Sequence, residues 1–504
     1  MIRPPLRHRR TRAAFVLATM MPACLVTSAL GAQETGARCT RELDWAAAHV
    51  ARNYAGFADK VTTKTRTAYE AALAAARRSA GAATDDAQCD AAITAWVRFF
   101  ADGHLRVERR ATGVIDESPA ALRARFADAP RVELDEGTVR RRLDALGARR
   151  TPIEGIWESG SGLYRVAILR DDARASAPSR WTMSILRADS AWWMPGQVKA
   201  TFTADSSAGR YRGTFLLRDH SPVSLSTRPV RNVMLLRAEP WRRVHPVEAD
   251  DLDAQQVSLL VRPTRFTVVE PAEGTLVLQL PNFSDSRAID SLWREEGSRL
   301  RAASRLVVDL RGNSGGSDVN YRQLLPLLYT RPIREPGTNV LATDDNIAAW
   351  RALLADSARM SPAERAGVRL AVSRVEKGRG GWVEMPDGTR TFPAVLEFPQ
   401  RVDVVIDRGC ASSCEQFVLA ARQSGKVRLY GDRTAGVLDY ANVRDVRMPD
   451  GAIVLRLPTS RSRRLPAAPV DPDGIAPDVA IPSTESDWIS WVLRQPASAA
   501  PPRP

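Results

Sequence analysis

Lysine, histidine and cysteine are the scarce residues of this chain, five of each among 504. Outside the first 32 residues no segment approaches the ~18 consecutive apolar residues a membrane-spanning helix needs, so no stable membrane insertion is expected for the remainder. No Gly-Lys-Ser/Thr ends the glycine-rich turn at 312–316, which excludes a phosphate P-loop, and the turn does not fit the G-x-G-x-x-G dinucleotide fingerprint. No block of basic residues interleaved with aromatics occurs, so nucleic acid is not an expected partner despite a formal charge of +14. Arg3, Arg7, Arg9, Arg10 and Arg12, with no acid in residues 1–32, account for five of those charges; about +9 is spread over the rest.

What is present describes a folded, multidomain chain. A length of 504 residues exceeds one core, and 44% hydrophobic with 26% charged residues is ordinary globular composition. Residues 1–32 read as an export signal: a basic start, the apolar "AAFVLATMMPACLVTSAL", then small residues at Gly31 and Ala32. An uncleaved anchor or a lipoprotein at Cys24 are the lesser readings. Cleavage would leave Cys39, Cys89, Cys410 and Cys414, an even count that points to disulfides in an exported, periplasmic or secreted protein. A Cys39–Cys89 bridge would contribute about 3–4 kcal/mol in the chain-entropy model, with Cys410 and Cys414 pairing locally. Two thiols without a neighbouring His make a poor metal site, and neither metal nor cofactor is expected.

Three textures follow one another. Residues 33–110 carry helical spacing in three pieces, each with a Gly after its apolar pattern, ending in Asp102-Gly103-His104-Leu105 and the strand-like "RVERR". A helical linker is expected over 111–150. Residues 151–245 hold short alternating segments such as "GIWES", "LYRVAILR" and "QVKATFTA", which predict a small antiparallel barrel or sandwich. Over 250–490, apolar strands ("TLVLQLP", "RLVVDLRG", "VDVVID", "VRLYGD", "AIVLRLP") alternate with helical stretches, predicting a helix-covered sheet. A charged helical insertion at 342–380 is a candidate lid, and 494–504 a disordered tail. The fold class is therefore multidomain α+β with a C-terminal α/β domain.

Two motifs in that last domain carry chemistry. "LVVDLRGNSGG", Leu306 to Gly316, runs a buried strand into a turn whose N–H groups Gly315 and Gly316 leave unshielded, able to donate to an oxyanion. "GCASSCEQF", 409–417, places two serines at a strand-to-helix turn, where a hydroxyl can attack a carbonyl and the next N–H can hold the resulting charge. A capping box, "S-S-C-E", is the structural alternative, and on chemistry alone either serine serves.

Together, "DLRGNSGG", "SSCE" and "GDRTAG" resemble the C-terminal processing (tail-specific) serine peptidases, over about 255–485, and "NYAGF…FFADGHL" is similar to the helical start of the branch lacking a PDZ domain. The resemblance implies a ClpP/crotonase-like peptidase domain and selects Ser412, three residues before the Glu, as nucleophile. Ser413 N–H and a glycine of Gly315-Gly316 would form the oxyanion hole. Well-known members use a Ser–Lys dyad, but this chain has Val437 where the Lys would follow Thr434-Ala435-Gly436. The tricorn-like branch uses Ser, His and an acid instead. That pattern implies His104, in "DGH", as base, and Asp471 in "PVDPDGIAPDVAI" as the third member, with Asp473 and Asp478 as fallbacks. The expectation is an exported serine peptidase acting on polypeptides; an inactive peptidase-fold binding protein, or an esterase using the same serine, are the alternatives. The sequence is silent on oligomeric state.

Overall fold

A computed structural model describes residues 23–109, 116–171, 179–189, 191–205, 209–237, 239–249, 251–355, 362–449 and 452–496. Most of the expected signal and, in the tail, residues 497–504 lie outside these. The helix Ala23–Asn53 runs through the expected cleavage point near Gly31 and Ala32.

The N-terminal region follows the expected punctuation. Helices Ala23–Asn53, Arg66–Gly81 and Asp86–Val97 pack around Leu43, Val50, Ile93, Trp96 and Phe100, all buried. Asp85 caps the third helix by accepting from Gln88 N–H at 2.8 Å. The Cys39–Cys89 disulfide joins the first helix to the third. This core does not close on itself. Tyr440, Leu455 and Leu457 from the far end of the chain complete it, because the strand Arg106–Arg109 pairs antiparallel with Ile453–Ser462, Arg106 facing Arg456 and Arg109 facing Ile453. The segment "AIVLRLP" therefore leaves the parallel sheet it was expected to join.

Nine antiparallel strands between Gly155 and His245 form one nearly closed, barrel-like sheet. Across its seam, Thr227 Oγ1 donates to the Leu235 carbonyl at 2.7 Å. The interior is aromatic, with Trp157, Trp181, Phe202 and Trp241 buried. The expected linker at 111–150 instead belongs to this unit. Leu122 of the helix Pro119–Arg125 enters the interior cluster, while Val139 and Leu143 of Glu136–Leu146 cover Ile156 and Ala167 on the outer face.

The C-terminal unit is a six-stranded sheet between two helical layers. Thr275–Gln279, Arg305–Asp309, Arg401–Ile406, Val427–Gly431 and Val479–Ala480 run parallel, and Thr267–Ala272 adds an antiparallel edge. Ser286–Ala302 and Ser413–Ala421 pack on one face, Ala254–Leu260 and Trp488–Leu493 on the other. The strands read as continuous apolar runs because both faces are covered.

The 342–380 insertion is helical as expected, in Asp344–Ala355 and Pro362–Lys377. It is docked rather than hinged as a lid. Asn346 Nδ2 donates to the Asn53 carbonyl at 2.9 Å, Thr343 Oγ1 to Asn53 Oδ1 at 2.7 Å, and Trp350 Nε1 to Thr459 Oγ1 at 3.1 Å.

Candidate active site

Parallel pairing brings distant motifs to one edge. Arg305–Asp309 and Arg401–Ile406 are neighbours with Asp309 facing Val405, and Ile406 faces Gly431 of the next strand. The loops leaving these three strands, at 310–317, 407–412 and 432–438, emerge side by side at their carboxyl ends, where open α/β sheets hold their ligands. Asp407 ties the first two together: its Oδ1 accepts from Gly312 N–H at 2.9 Å and Gly409 N–H at 2.8 Å, while Oδ2 pairs with Arg262 at 2.7 Å.

Ser412 stands where the second loop becomes the helix Ser413–Ala421, with φ +58° and ψ −121°. A side-chain-bearing residue adopts that conformation only when its surroundings enforce it, and such outliers cluster at functional sites. The enforcing group is Glu415, fully buried. Its Oε2 accepts from Ser412 N–H at 3.2 Å and Val437 N–H at 2.8 Å; its Oε1 accepts from Thr434 Oγ1 at 2.5 Å and Gly436 N–H at 2.7 Å. The capping-box Glu thus also clamps the third loop. The Cys410–Cys414 disulfide closes the same turn from behind.

The two serines differ. Ser413 is buried and its hydroxyl donates to the Gly316 carbonyl at 3.1 Å. Ser412 is half-buried. The two glycines differ as well. Gly315 N–H donates to Asn313 Oδ1 at 2.9 Å, so Gly315 is a spacer: at φ +92°, a methyl group there would come within 2.9 Å of Ser412 Cβ and Ser413 N. The neighbouring bridge to Phe283 uses Gly315 O and Ser317 N–H. The N–H groups of Gly316 and Ser413 are left without protein acceptors among the described residues.

His104 reaches this edge because the strand that follows it is stitched to Ile453–Ser462. The buried Asp102 holds the turn, accepting from His104 N–H at 2.8 Å and Tyr54 Oη–H at 2.7 Å; burial pushes its carboxyl up. Val437, where the sequence resemblance would have placed a lysine, links the His104 turn to Ser412. Its carbonyl accepts Ser412 N–H at 2.9 Å, and its side chain packs on Gly103 so closely that a methyl there would meet Cγ2 at 2.6 Å.

The imidazole Nδ1 lies 2.6 Å from the Tyr440 carbonyl oxygen. A carbonyl only accepts, so Nδ1 carries a proton, which in a neutral ring leaves the lone pair on Nε2. His104 and the Ser412 hydroxyl make no direct hydrogen bond among the described residues. The other histidines of the described chain are occupied: His49 against Trp45, His220 stacked between Phe126 and Trp193, His245 on Asp144.

Asp471 does not contact the imidazole directly. Its Oδ1 accepts from Leu438 N–H at 2.6 Å and Asp439 N–H at 3.1 Å, the turn from which the Tyr440 carbonyl projects; Oδ2 is buried without a partner. Burial, with Asp439 and Asp102 nearby, pushes this carboxyl up to about 7. Of the fallback acids, Asp473 is exposed and Asp478 is committed to Leu429 N–H at 2.7 Å. Glu415 was legible only as a motif letter. Tyr440 acts through its backbone and leaves no sequence signal.

A strained serine at a helix start, two free N–H groups beside it and a histidine held by a backbone carbonyl are the parts that serine-type peptide hydrolysis requires. Residues 274–481, which hold the parallel strands and their three loops, match the sequence model of Peptidase family S41; the match excludes the N-terminal helices and the barrel. No curated protein matches the sequence. Among solved structures, mature CPAF is similar over 91% of this chain and 96% of its own at 12% identity and TM-score 0.48. The photosystem II D1 C-terminal processing protease follows over 92% and 98%, at 15% identity and TM-score 0.34. Tricorn protease is similar over 90% of this chain and 35% of its own, at 12% identity and TM-score 0.39. Likeness this remote transfers neither residues nor substrates.

Proposed function

We propose that the protein is an exported peptidase in which Ser412 is the nucleophile and His104 the general base, oriented by the Tyr440 carbonyl. Ser412 Oγ attacks the peptide carbonyl carbon as His104 Nε2 takes the hydroxyl proton. The tetrahedral oxyanion sits between the N–H groups of Ser413 and Gly316. The C–N bond then breaks, the imidazolium protonates the leaving amine, and water hydrolyses the acyl-enzyme through the same base. Asp471, expected as the third member, is a positioning residue here: it holds the 438–439 turn and so the carbonyl that fixes the tautomer. In this reading the hydroxyl and the imidazole come into hydrogen-bond contact when substrate binds.

The backbone of Ser412, held at positive φ by Glu415 between two free N–H groups, carries this reading. The test compares wild type with Ser412→Ala on a denatured protein and a peptide library, alongside labelling by a serine-directed phosphonate. Cleavage and labelling confined to the wild type are expected; equal cleavage by Ser412→Ala would sink the assignment. Export is tested by N-terminal sequencing of protein from the culture fluid or periplasm, with a start near Gln33 expected.

A further inference from the structure

The barrel holds a buried amine that peptide hydrolysis does not use. Where the strand Val198–Ala204 pairs with Arg180–Ala188, Met183 faces Ala200 but Ser184 faces Val198, so Lys199 is the extra residue of a β-bulge. Bulges re-aim a side chain. Here the Lys199 ammonium is set 3.8 Å from the ring centre of Trp193 and 4.8 Å from those of Tyr164 and Phe215. The residue is 2% exposed, and of its three donors one has a protein acceptor, the Leu216 carbonyl at 3.0 Å.

Lys199 lines a cavity of about 1060 Å³ between the barrel and the peptidase sheet, together with Phe215, Leu225, Leu235 and Trp241. Trp241 is 1% exposed and its indole N–H has no partner among the described residues. The rings of Trp241 and Tyr164 stack with centres 6.4 Å apart, so the amine and the orphan indole flank one tyrosine. Further out, Arg210 and Arg228 are tied to the carbonyls of Ser483 and Thr484 rather than to acids. Of the two lining acids, Glu239 and Asp407, the second is neutralised by Arg262. The cavity therefore has apolar walls, two buried donors with unused capacity and an excess of positive charge.

We propose that this cavity binds an amphipathic carboxylate, the carboxylate taking hydrogen bonds from Lys199 Nζ and the Trp241 indole N–H while the apolar body lies along Phe215, Leu225 and Leu235. Lys199 and Trp241 both line the cavity, and both keep donor capacity that the described residues do not use. Burial pulls the amine down to about 7, with Glu239 pulling upward and His220, itself lowered by burial, also nearby. A carboxylate at hydrogen-bond distance restores the ammonium, so binding above neutral pH takes up a proton from the buffer.

The full-length protein is titrated calorimetrically at pH 8 with decanoate and with decan-1-ol, in phosphate and in Tris. One decanoate per chain is expected, at least tenfold tighter than decanol, with a heat that differs between the buffers as proton uptake requires. Lys199→Met should weaken decanoate at least tenfold and Trp241→Phe about threefold, whereas Ser412→Ala should bind as wild type does. Absence of saturable decanoate binding, equal affinity for decanol, or affinity untouched by both barrel variants overturns the proposal. Should Lys199→Met fail to fold by circular dichroism, Trp241→Phe and the wild-type proton uptake decide.

Discussion

The peptidase edge and the barrel interior treat buried polar groups in opposite ways. Around Ser412 nearly every one is spoken for: the Glu415 carboxylate receives four donors, Asp407 receives two backbone N–H groups and a guanidinium, and Asn313 receives Gly315 N–H while donating to the Leu280 carbonyl. Inside the barrel, among the described residues, the indoles of Trp193 and Trp241 and the hydroxyl of Ser184 have no partner, and a lysine amine has one. Buried donors cost about 1–3 kcal/mol each when unsatisfied. The first pattern fixes geometry, which proton transfer and oxyanion binding need. The second leaves capacity for something not yet there.

The contrast can be broken most forcefully at the base. His104→Gln should lower turnover by about 10⁴–10⁶-fold, as removing a member of a serine–histidine unit does; a loss below tenfold, in steady-state peptide cleavage, would show that another group takes the proton. Next comes Gly103→Val. Its side chain must displace Val437, and misplacement of the imidazole by about 1 Å should cost ~100-fold in kcat with the fold intact by circular dichroism. Removing the clip with Cys410→Ser/Cys414→Ser should keep the fold and lower turnover, since the turn presenting Ser412 loses a covalent brace; full activity would show that Glu415 suffices.

The gentlest probes are titrations of stability, and they have opposite signs in the two regions. Asp471 goes from an ordinary 3.8 to about 7 on folding. Between those values the folded chain holds the extra proton, so its contribution to stability falls as pH rises from about 4 to about 7. Lys199 goes from 10.5 down to about 7. Between those values the unfolded chain holds the extra proton, and stability rises from about pH 7 to 10.5. Asp471→Asn should flatten the first slope in Tm and lower activity ~10–100-fold through the displaced turn, whereas Lys199→Met should flatten the second and leave peptidase activity alone. Identical pH profiles for wild type and variant would refute the burial that each shift requires.

Local pattern carried a good deal of this. The segments "GIWES" and "RWTMSILRA" are strands to the residue, at Gly155–Ser159 and Arg180–Ala188, because alternation and turn residues bound them on both sides. The helix punctuation at Gly81 held for the same reason. What escaped was long-range. "AIVLRLP" has the composition of a buried parallel strand, yet it pairs with Arg106–Arg109, some 350 residues earlier, and nothing local encodes that partner. At the site, Ser412 and His104 were legible as side chains in motifs. The Tyr440 carbonyl and the engagement of Gly315 N–H were not, since backbone groups are the same at every residue and only the fold assigns them.

The pairing of Arg106–Arg109 with Ile453–Ser462 also orders events in time. The imidazole is made early, but its seat at Tyr440 follows 336 residues later, and the Asp471 that props that seat later still. A nascent polypeptide halted before those positions holds its alcohol and its base on unconnected pieces. Until the two ends of the chain have paired, the arrangement proposed around Ser412 is incomplete.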